Sequence, residues 1–201
     1  MRLGIYGGSF DPVHYGHLLL AECCREQLAL DEVWFLPAAV PPHKTRQARA
    51  ADKHRAEMLQ LAIGGHDAFR LATLELERGG VNYTFETLEQ IQRDRPDDRL
   101  FFLMGADSLD DFPRWREPAR ICQAATISVV ARPGAPAPDF DALLGVASGE
   151  QIAAMRAAVV TMPLIELSSS DLRRRVAAGQ SVRYRTPAAV RKYIESHGLY
   201  R

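Results

Sequence analysis

A doubly wound α/β fold is predicted for this chain, in which a mostly parallel sheet carries helices on both faces. Short apolar segments of strand length alternate with longer amphipathic segments of helical period along the 201 residues. Strands that alternate with helices form right-handed crossovers, and these crossovers build a parallel sheet. Because the chain contains no internal repeat, low-complexity linker or long charge run, a single domain over residues 1–201 is expected.

The first half of the chain predicts three strands and three helices. Buried strands are predicted by apolar runs at residues 1–7, 32–38 and 69–76. Helices are predicted by amphipathic segments at 16–30, 52–61 and 84–94. Asp52 is expected to cap the second helix, and Pro96 to end the third.

The second half continues the same alternation. Three further strands are predicted over residues 99–105, 125–131 and 159–167. Two helices follow, over residues 168–179 and 186–198. Ser168 is a typical capping residue for the first of them, and Pro187 stands near the start of the second.

The composition excludes several classes of protein. The formal net charge is zero and charged residues make up 25% of the chain, which argues against broad nucleic-acid binding. No run approaches the roughly 18 apolar residues of a membrane helix, and no apolar segment of signal-peptide length follows Met1. Cys23, Cys24 and Cys122 lack the spacing of a zinc or redox site. We therefore expect a cytoplasmic protein with no nucleic-acid or membrane partner.

Polar residues follow five of the predicted strands. Open parallel sheets bind their ligands beyond the carboxyl ends of the strands, near the point where the strand order reverses. Because these ends share one edge of the sheet, the sequence predicts one candidate site there. The segments concerned are GGSFDPVHYGH, PAAVPPHK, GADSLDDFPRW, ARPG and LSSSDLRRR.

The segment GGSFDPVHYGH, residues 7–17, indicates an anion site. Gly7 and Gly8 are expected to let the backbone turn sharply and its N–H groups approach a ligand. His14 and His17 bracket the predicted helix start, where unpaired N–H groups favour anions such as phosphate. Two other interpretations of the histidines stay open, namely zinc ligation together with Asp11 and a purely structural capping role.

The segment SSSDLRRR, residues 168–175, has the same character. Serines at a helix start and Arg173 one turn inside can bind phosphate oxygens. An ordinary cap followed by a basic helix face would give the same pattern. From residue 168 onward there are eight basic and two acidic residues, and a basic patch on a neutral protein suits a small polyanion.

These two segments resemble the paired signatures of the HxGH nucleotidyltransferases. Three further segments narrow the resemblance: PPHK at residues 41–44, GADSL followed by FPRW within residues 105–115, and the ending HGLYR. In this order they are similar to the bacterial nicotinate-nucleotide adenylyltransferases over essentially the whole chain. The resemblance implies a Rossmann-like fold and the transfer of AMP from ATP to nicotinate mononucleotide. The implied products are nicotinate adenine dinucleotide, for NAD synthesis, and pyrophosphate.

The resemblance also implies which residues act on ATP. His14, His17 and Arg173 would be catalytic, because they would stabilise the charge that develops as the mononucleotide phosphate attacks the α-phosphorus directly. Mg²⁺ would accompany ATP, held by phosphates and water with no direct protein ligand. The residues implied for ATP binding are Gly7, Gly8, Ser9, Phe10, His14, His17, Gly105, Asp107, Arg132, Ser168, Ser169, Ser170 and Arg173.

A second set of residues is implied for the acceptor. Lys44 would meet the mononucleotide phosphate, and Trp115 would stack on the pyridine ring, although a packing role for this tryptophan is the alternative. Main-chain N–H groups would receive the ring carboxylate, whereas an amide would leave such donors unpaired. The residues implied for this substrate are Ser9, His43, Lys44, Thr84, Phe85, Asp107, Trp115 and Arg116.

Two positions depart from the family pattern. Ser170 stands where many relatives have threonine, and Arg116 stands where an aromatic residue is common. Nicotinamide mononucleotide or phosphopantetheine as the acceptor, and nucleotide binding without turnover, remain alternatives. The sequence leaves open whether the chain is a monomer or a homodimer.

Overall fold

The structure is a computed structural model that describes residues 1–39, 50–131, 134 and 136–201. Its strands are β1 (Arg2–Gly8), β2 (Glu32–Pro37), β3 (Phe69–Leu71), β4 (Arg99–Gly105), β5 (Thr126–Ala131) and β6 (Val160–Thr161). Within the described residues they form one six-stranded sheet with the order β3-β2-β1-β4-β5-β6.

Helices fill the connections between the strands. Those of the described chain are α1 (Tyr15–Gln27), α2 (Asp52–Ile63), α3 (Leu74–Arg78), α4 (Thr84–Asp94), α5 (Ala106–Leu109), α6 (Pro118–Ala124), α7 (Gly149–Ala157), α8 (Ser169–Ala177) and α9 (Ala188–Ser196). Short 3-10 turns occur at Phe112–Arg114 and Asp141–Leu143. The sequence pattern predicts α1, α2, α4, α8 and α9, and it misses the helices between β4 and β6.

The strand order confirms the predicted doubly wound α/β fold. The pairs β1–β4, β4–β5 and β5–β6 are parallel, with Ile5 opposite Phe102 and Met104 opposite Val129. Strands are added on one side of β1 up to β3 and on the other side from β4 onward. Open α/β sheets bind their ligands at such a reversal of strand order.

Two predicted strands are shorter than the sequence pattern indicates. The run at 69–76 is a strand only over β3, and Leu74–Arg78 forms α3. Leucine and glutamate alternate in that segment and both are good helix formers, so the apolar alternation was misleading. The run at 159–167 keeps only the two residues of β6, because Pro163 lacks the N–H that a longer strand needs.

The expected cap of α2 is also wrong. Ala51 is the N-cap and no side chain caps this helix. Asp52 is the first helical residue instead, and its carboxylate accepts a hydrogen bond of 2.6 Å from Nη2 of Arg55. Arg55 is 1% exposed, so a buried guanidinium takes the oxygen that a cap would have used.

The chain divides into two compact units. The first consists of Met1–Gly7, Leu20–Trp34 and Tyr83–Leu164, and the second of Gly8–Leu19, Phe35–Asn82 and Ile165–Arg201. The single domain expected over residues 1–201 stays a prediction.

The core of the first unit is built on β4. Its residues Leu100–Met104 are all buried, as expected for a central parallel strand that is covered on both faces. Leu3 and Ile5 of β1 and Ile127 of β5 are fully buried as well. Burial of side chains of this size contributes about 1.5–3 kcal/mol each, which explains why an uninterrupted apolar run predicts this strand correctly.

The core of the second unit contains a row of three phenylalanine rings. Phe10 and Phe35 have ring centroids 5.7 Å apart, and Phe35 and Phe69 are 5.2 Å apart. Met58 of α2 and Ile194 of α9 are buried in the same unit. The row anchors Phe10, which lies two residues after the end of β1 at Gly8.

Candidate active site

The described residues of the predicted site fall into two groups, one in each unit. The second unit holds Gly8, Ser9, Phe10, His14, His17, Ser168, Ser169, Ser170 and Arg173. The first unit holds Gly7, Thr84, Phe85, Gly105, Asp107, Trp115 and Arg116. The predicted site residues His43, Lys44 and Arg132 lie outside the described residues.

Gly7 and Gly8 belong to β1 and neither has a positive φ. The prediction that they turn the chain sharply is therefore wrong. A turn follows them at residues 11–12; Phe10 before it has a φ of 44°, and the Asp11–Pro12 peptide is cis. Gly8 instead provides space, because a Cβ there would lie 2.9 Å from the Phe10 ring.

Gly7 carries no such constraint. A Cβ at this position would make only ordinary contact with the Phe102 ring, at 3.6 Å. In the second unit, by contrast, the Phe10 ring occupies the space over Gly8. The same ring packs against that of His17 in a T-shaped arrangement, with centroids 5.0 Å apart. The fit between Gly8 and Phe10 therefore extends to one of the candidate catalytic residues.

His14 precedes α1 and His17 lies in its first turn, as the sequence predicts. Their rings stack with centroids 3.7 Å apart and an angle of 21° between the planes. His14 is 5% exposed and His17 is half-buried. The two imidazoles therefore form one packed pair at the start of the helix.

A hydrogen bond assigns the protonation of His17. Its Nδ1 accepts the main-chain N–H of His14 at 3.2 Å. A ring nitrogen that accepts a hydrogen bond carries no proton, so the neutral ring of His17 has its proton on Nε2. Nδ1 of His17 thus accepts the main-chain N–H of His14, as the capping interpretation expects. The other ring nitrogen is an N–H donor of the kind that binds phosphate oxygens.

His14 is a neutral ring. Burial lowers the pKa of His14 from 6.5 to about 4, so the imidazole carries no charge at neutral pH. Its Nδ1 is buried and makes no hydrogen bond within the described part of the chain. His14 therefore contributes as a packed, uncharged imidazole and not as a buried cation.

Gly16 lies against the ring of His14. A Cβ at position 16 would be 3.1 Å from both Cε1 and Nδ1 of that ring, which is closer than ordinary van der Waals contact. A side chain here would therefore push His14 out of its stack on His17. The glycine of the H-x-G-H pattern is explained by this space, since it lies inside α1 without a positive φ.

The serines at the start of α8 make different contacts. Ser168 is the N-cap, and its Oγ accepts the N–H of Asp171 at 3.1 Å, as predicted. The Oγ of Ser170 accepts a hydrogen bond of 3.2 Å from Nη2 of Arg173. The helix start therefore orients the arginine that lies one turn inside it.

Two hydrogen bonds join α8 to the segment that leads into α1. Ser169 Oγ donates to the carbonyl oxygen of Pro12 at 2.9 Å. Arg173 Nη1 donates to the carbonyl oxygen of Asp11 at 2.7 Å. The structure thus brings together the two sequence segments that were predicted to bind phosphate.

Arg55 is a buried cation that the sequence analysis missed. Its Nη1 donates to the carbonyl oxygen of Ser9 at 2.9 Å and its Nη2 to that of Ala38 at 2.7 Å. The side chain therefore ties the main chain after β1 to the main chain after β2. An arginine within an amphipathic helix gives no local signal of such a role, because its partners come from other elements.

In the first unit, the start of α4 provides main-chain donors. Thr84 and Phe85 open this helix, and its N-cap Tyr83 makes no side-chain cap, so the first N–H groups have no partner inside the helix. The guanidinium of Arg116 lies over the Tyr83 ring, 4.8 Å from its centroid. Arg116 therefore lies close to the start of α4.

Trp115 is half-buried and rests against two phenylalanines. Its ring meets Phe102 at 6.1 Å in a T-shaped arrangement and Phe112 at 5.5 Å in a tilted one. The packing interpretation is correct to this extent, and part of the indole surface stays exposed. Gly105 ends β4, and Asp107 is exposed in the first turn of α5.

The described ranges contain neither a metal-binding cluster nor a membrane-spanning helix. No group of three or more His, Cys, Asp or Glu side chains is placed there to hold a metal ion. Across the same residues no helix is long and apolar enough to cross a membrane. The zinc interpretation gains no support from His17 either, since its Nδ1 accepts a main-chain N–H.

Comparison with known proteins gives consistent results. Residues 5–175 match the family described as cytidylyltransferase-like. A Thermomicrobium roseum protein named as a nicotinate-nucleotide adenylyltransferase is 45% identical over 200 residues, covering 100% of this chain and 92% of that protein. A Thermus thermophilus protein of the same name is 44% identical over 201 residues, covering 100% of each.

A solved structure shows the same fold at much lower identity. It is the nicotinic acid mononucleotide adenylyltransferase of Plasmodium falciparum complexed with NaAD, with a TM-score of 0.75 and 19% identity, over 99% of this chain and 97% of that chain. That likeness supports the fold, whereas the match to the bacterial proteins has a higher identity and extends over the full length of the chain. The chain therefore belongs to the cytidylyltransferase-like family and, within it, to the nicotinate-nucleotide adenylyltransferases.

Proposed function

We propose that this protein transfers AMP from ATP to nicotinate mononucleotide and releases nicotinate adenine dinucleotide and pyrophosphate. One observation carries the proposal: Ser169 and Arg173 bond the main chain of Pro12 and Asp11. Two helix starts, an imidazole N–H and a guanidinium are thereby gathered in one unit, and such groups suit a triphosphate. The shared name of the full-length bacterial relatives supports the same reaction.

In the proposed reaction an oxygen of the mononucleotide phosphate forms a bond to the α-phosphorus of ATP. The bond from that phosphorus to the bridging oxygen breaks, and negative charge accumulates on the departing pyrophosphate. Fixed donors directed at this charge lower the barrier. Nε2–H of His17 and the guanidinium of Arg173 are the donors proposed, with Ser168 and Ser170 beside the same phosphates.

Direct transfer agrees with the state of the buried thiols. Burial raises the pKa of Cys24 to about 12 and that of Cys122 to about 11. Both therefore stay protonated at neutral pH, and a thiol is a much weaker nucleophile than a thiolate. Neither buried thiol is therefore an activated nucleophile, and the reaction is proposed to proceed without a covalent enzyme intermediate.

The acceptor, nicotinate mononucleotide, is proposed to bind to residues of the first unit. The exposed face of Trp115 would stack on the pyridine ring, and the N–H groups at the start of α4 would bind the ring carboxylate. Arg116, held over Tyr83, adds positive charge close to that helix start. Lys44 and His43 would meet the mononucleotide phosphate.

The nucleotide would bring its own cation. Mg²⁺ prefers phosphate oxygens and water. The groups at α1 and α8 are main-chain and imidazole N–H groups, serine hydroxyls and a guanidinium, and such donors fit phosphates and not a magnesium ion. When bound, the ion neutralises charge on the phosphates. Gly105, Asp107 and Arg132 are proposed to contact the nucleotide, together with main-chain groups of Gly7, Gly8, Ser9 and Phe10.

The cytoplasm is the proposed location. All three cysteines are free thiols, the state that a reducing compartment maintains. The proposed partners are the two small substrates, and the proposed unit of function is one domain over residues 1–201.

A pyrophosphate-release assay tests the function. Purified protein receives ATP and Mg²⁺ with nicotinate mononucleotide, nicotinamide mononucleotide or phosphopantetheine. We expect rapid release with the first acceptor and formation of nicotinate adenine dinucleotide. Equal kcat/KM for nicotinamide mononucleotide would contradict the acid specificity. Binding of ATP without release with any acceptor would indicate a non-catalytic nucleotide-binding protein.

The first mutational prediction concerns His17. His17→Ala should lower kcat by about 100- to 1000-fold, because a donor to the developing charge is lost, while the Kd of ATP changes by about threefold or less. The control is His66→Ala, since His66 also accepts a main-chain N–H, from Ala68 at 3.2 Å, and stacks on Phe69. A loss of ATP affinity as large as the loss of kcat would make His17 a binding residue only.

Gly16→Ala should act through the ring of His14. We expect kcat to fall about tenfold, because a shift of a few tenths of an ångström displaces the stacked pair. The free energy of unfolding should change by less than about 1 kcal/mol, since alanine favours the helix. Gly149→Ala is the matched control, because Gly149 also lies in the first turn of a helix and a Cβ there meets nothing within 4 Å. Unchanged kinetics of Gly16→Ala would contradict the steric explanation.

Trp115→Ala should separate the two substrates. We expect KM for nicotinate mononucleotide to rise about tenfold through the lost ring contact, and KM for ATP to stay nearly constant. Steady-state kinetics with each substrate varied in turn measures both. Trp34→Ala, at the other tryptophan of the chain, controls for the loss of an indole. A parallel rise of both KM values would assign Trp115 to packing.

Stability should depend on pH through His14. The unfolded chain gains a proton near pH 6.5, whereas the folded chain does so only near pH 4. The stabilisation is therefore complete above pH 6.5 and is lost as the pH falls towards 4, by about 2 kcal/mol at pH 5. Urea unfolding of the wild type and of His14→Asn at pH 7.5 and pH 5 measures it. Equal pH dependence of the two proteins would show that His14 does not titrate in this way.

A further inference from the structure

The last residues of the chain turn back after α9. Gly198 has a φ of 60° and Tyr200 a φ of 64°, and the N–H of Leu199 donates to the carbonyl of Ile194 at 3.1 Å. This is the closure by which many helices end on a left-handed glycine. It fixes the direction of the final residues, and the hydroxyl of Tyr200 donates to Asp11 Oδ1 at 2.6 Å.

Asp11 is a buried carboxylate, 1% exposed. Its Oδ1 accepts hydrogen bonds from the Tyr200 hydroxyl and, at 3.2 Å, from the N–H of Ala50. Its Oδ2 is buried and accepts no hydrogen bond from any residue that the structure describes. Because a buried and partly unsatisfied charge costs free energy, stability alone does not explain this residue.

Among the residues that the structure describes, Arg173 brings its positive charge next to Oδ2. Arg173 Nη1 is 3.9 Å from Asp11 Oδ2, while the same nitrogen donates to the main-chain carbonyl of Asp11 at 2.7 Å. The two side chains thus attract each other without a direct hydrogen bond between the charged groups. A carboxylate that could rotate would form that bond, because paired arginine and carboxylate groups bond strongly.

We propose that Tyr200 is a positioning residue for Arg173. By holding Oδ1 together with the N–H of Ala50, its hydroxyl stops the Asp11 carboxylate from rotating into a direct ion pair with the guanidinium. Arg173 then stays beside the carbonyl of Asp11, the position from which the proposed function has it bind the phosphates of the nucleotide. This inference rests on the proposed function, since it acts through a residue assigned to ATP.

The chemistry of Tyr200 suits this role. Burial, the negative charge of Asp11 and the hydrogen bond to it raise the pKa of the Tyr200 hydroxyl well above its ordinary value, and the charges of Arg173 and Arg55 only partly oppose this. The hydroxyl therefore remains a proton donor over the whole working pH range. Phenylalanine would keep the ring and remove only the donor.

The test measures kcat and both KM values of Tyr200→Phe in two backgrounds, the wild type and Arg173→Lys. In the wild-type background we expect kcat to fall about tenfold through misplacement of the guanidinium. KM for nicotinate mononucleotide should stay unchanged, and Tm should move by no more than about 4 °C. In the Arg173→Lys background the same substitution should change kcat by about twofold or less, because the group that it acts through is already gone.

Tyr193→Phe is the matched control. The Tyr193 hydroxyl also donates to a carboxylate, that of Glu57, and it comes from α9 in the same unit. Its loss should leave kcat unchanged in both backgrounds.

Three results would overturn the inference: an unchanged kcat for Tyr200→Phe, an equal fall in both backgrounds, which marks a general structural role, or a fully active Arg173→Lys. Wild-type protein that releases no pyrophosphate would contradict the proposed function itself. Normal wild-type turnover with a normal Tyr200→Phe would contradict only this inference.

Discussion

Two main-chain carbonyls hold the candidate phosphate site together. Those of Asp11 and Pro12 accept hydrogen bonds from Arg173 and Ser169, which stand 162 and 157 positions later in the chain. Both acceptor residues are buried, and an unpaired buried carbonyl costs about 1–3 kcal/mol. The segment before α1 therefore needs α8 in order to keep its conformation. The same bonds orient Arg173, so one interaction serves both stability and the proposed chemistry.

Close packing of aromatic rings fixes the positions of the two histidines. The ring of Phe10 fills the space over Gly8 and contacts the ring of His17 edge-on. The ring of His17 stacks on that of His14, and Gly16 lies against the ring of His14. A glycine thus stands at each end of a row of rings. Because interiors are close-packed, a displacement at one end is passed along the row. The ring of His17 is thereby held by its neighbours, and fixed donors are what the proposed electrostatic role requires.

Buried polar side chains of the second compact unit are held by hydrogen bonds and by burial. Arg55 is buried against the carbonyls of Ser9 and Ala38, His14 is uncharged at neutral pH, and the carboxylate of Asp11 is bound by Tyr200. From the sequence, His14 was known only by its residue type and its place at a helix start, and Arg55 gave no signal at all. Their charge state and their partners depend on burial, and no local pattern reports burial by distant elements. The predicted strand at 69–76 failed for a local reason, because its leucine and glutamate residues also favour a helix and Leu74–Arg78 forms α3.

The sequence alone was enough for the alternation of strands and helices, the apolar run of β4 and the serine cap of α8, because each of these depends on residues close together in the chain. The class of reaction was implied instead by the resemblance of widely separated motifs to a known family. Tertiary structure decided the rest. It assigned the proton of His17, explained Gly16 by the ring that it faces, and brought Arg55 and Tyr200 to the segment after β1. These properties depend on contacts between residues far apart in the chain, such as the 189 positions between Asp11 and Tyr200, and only folding creates such contacts.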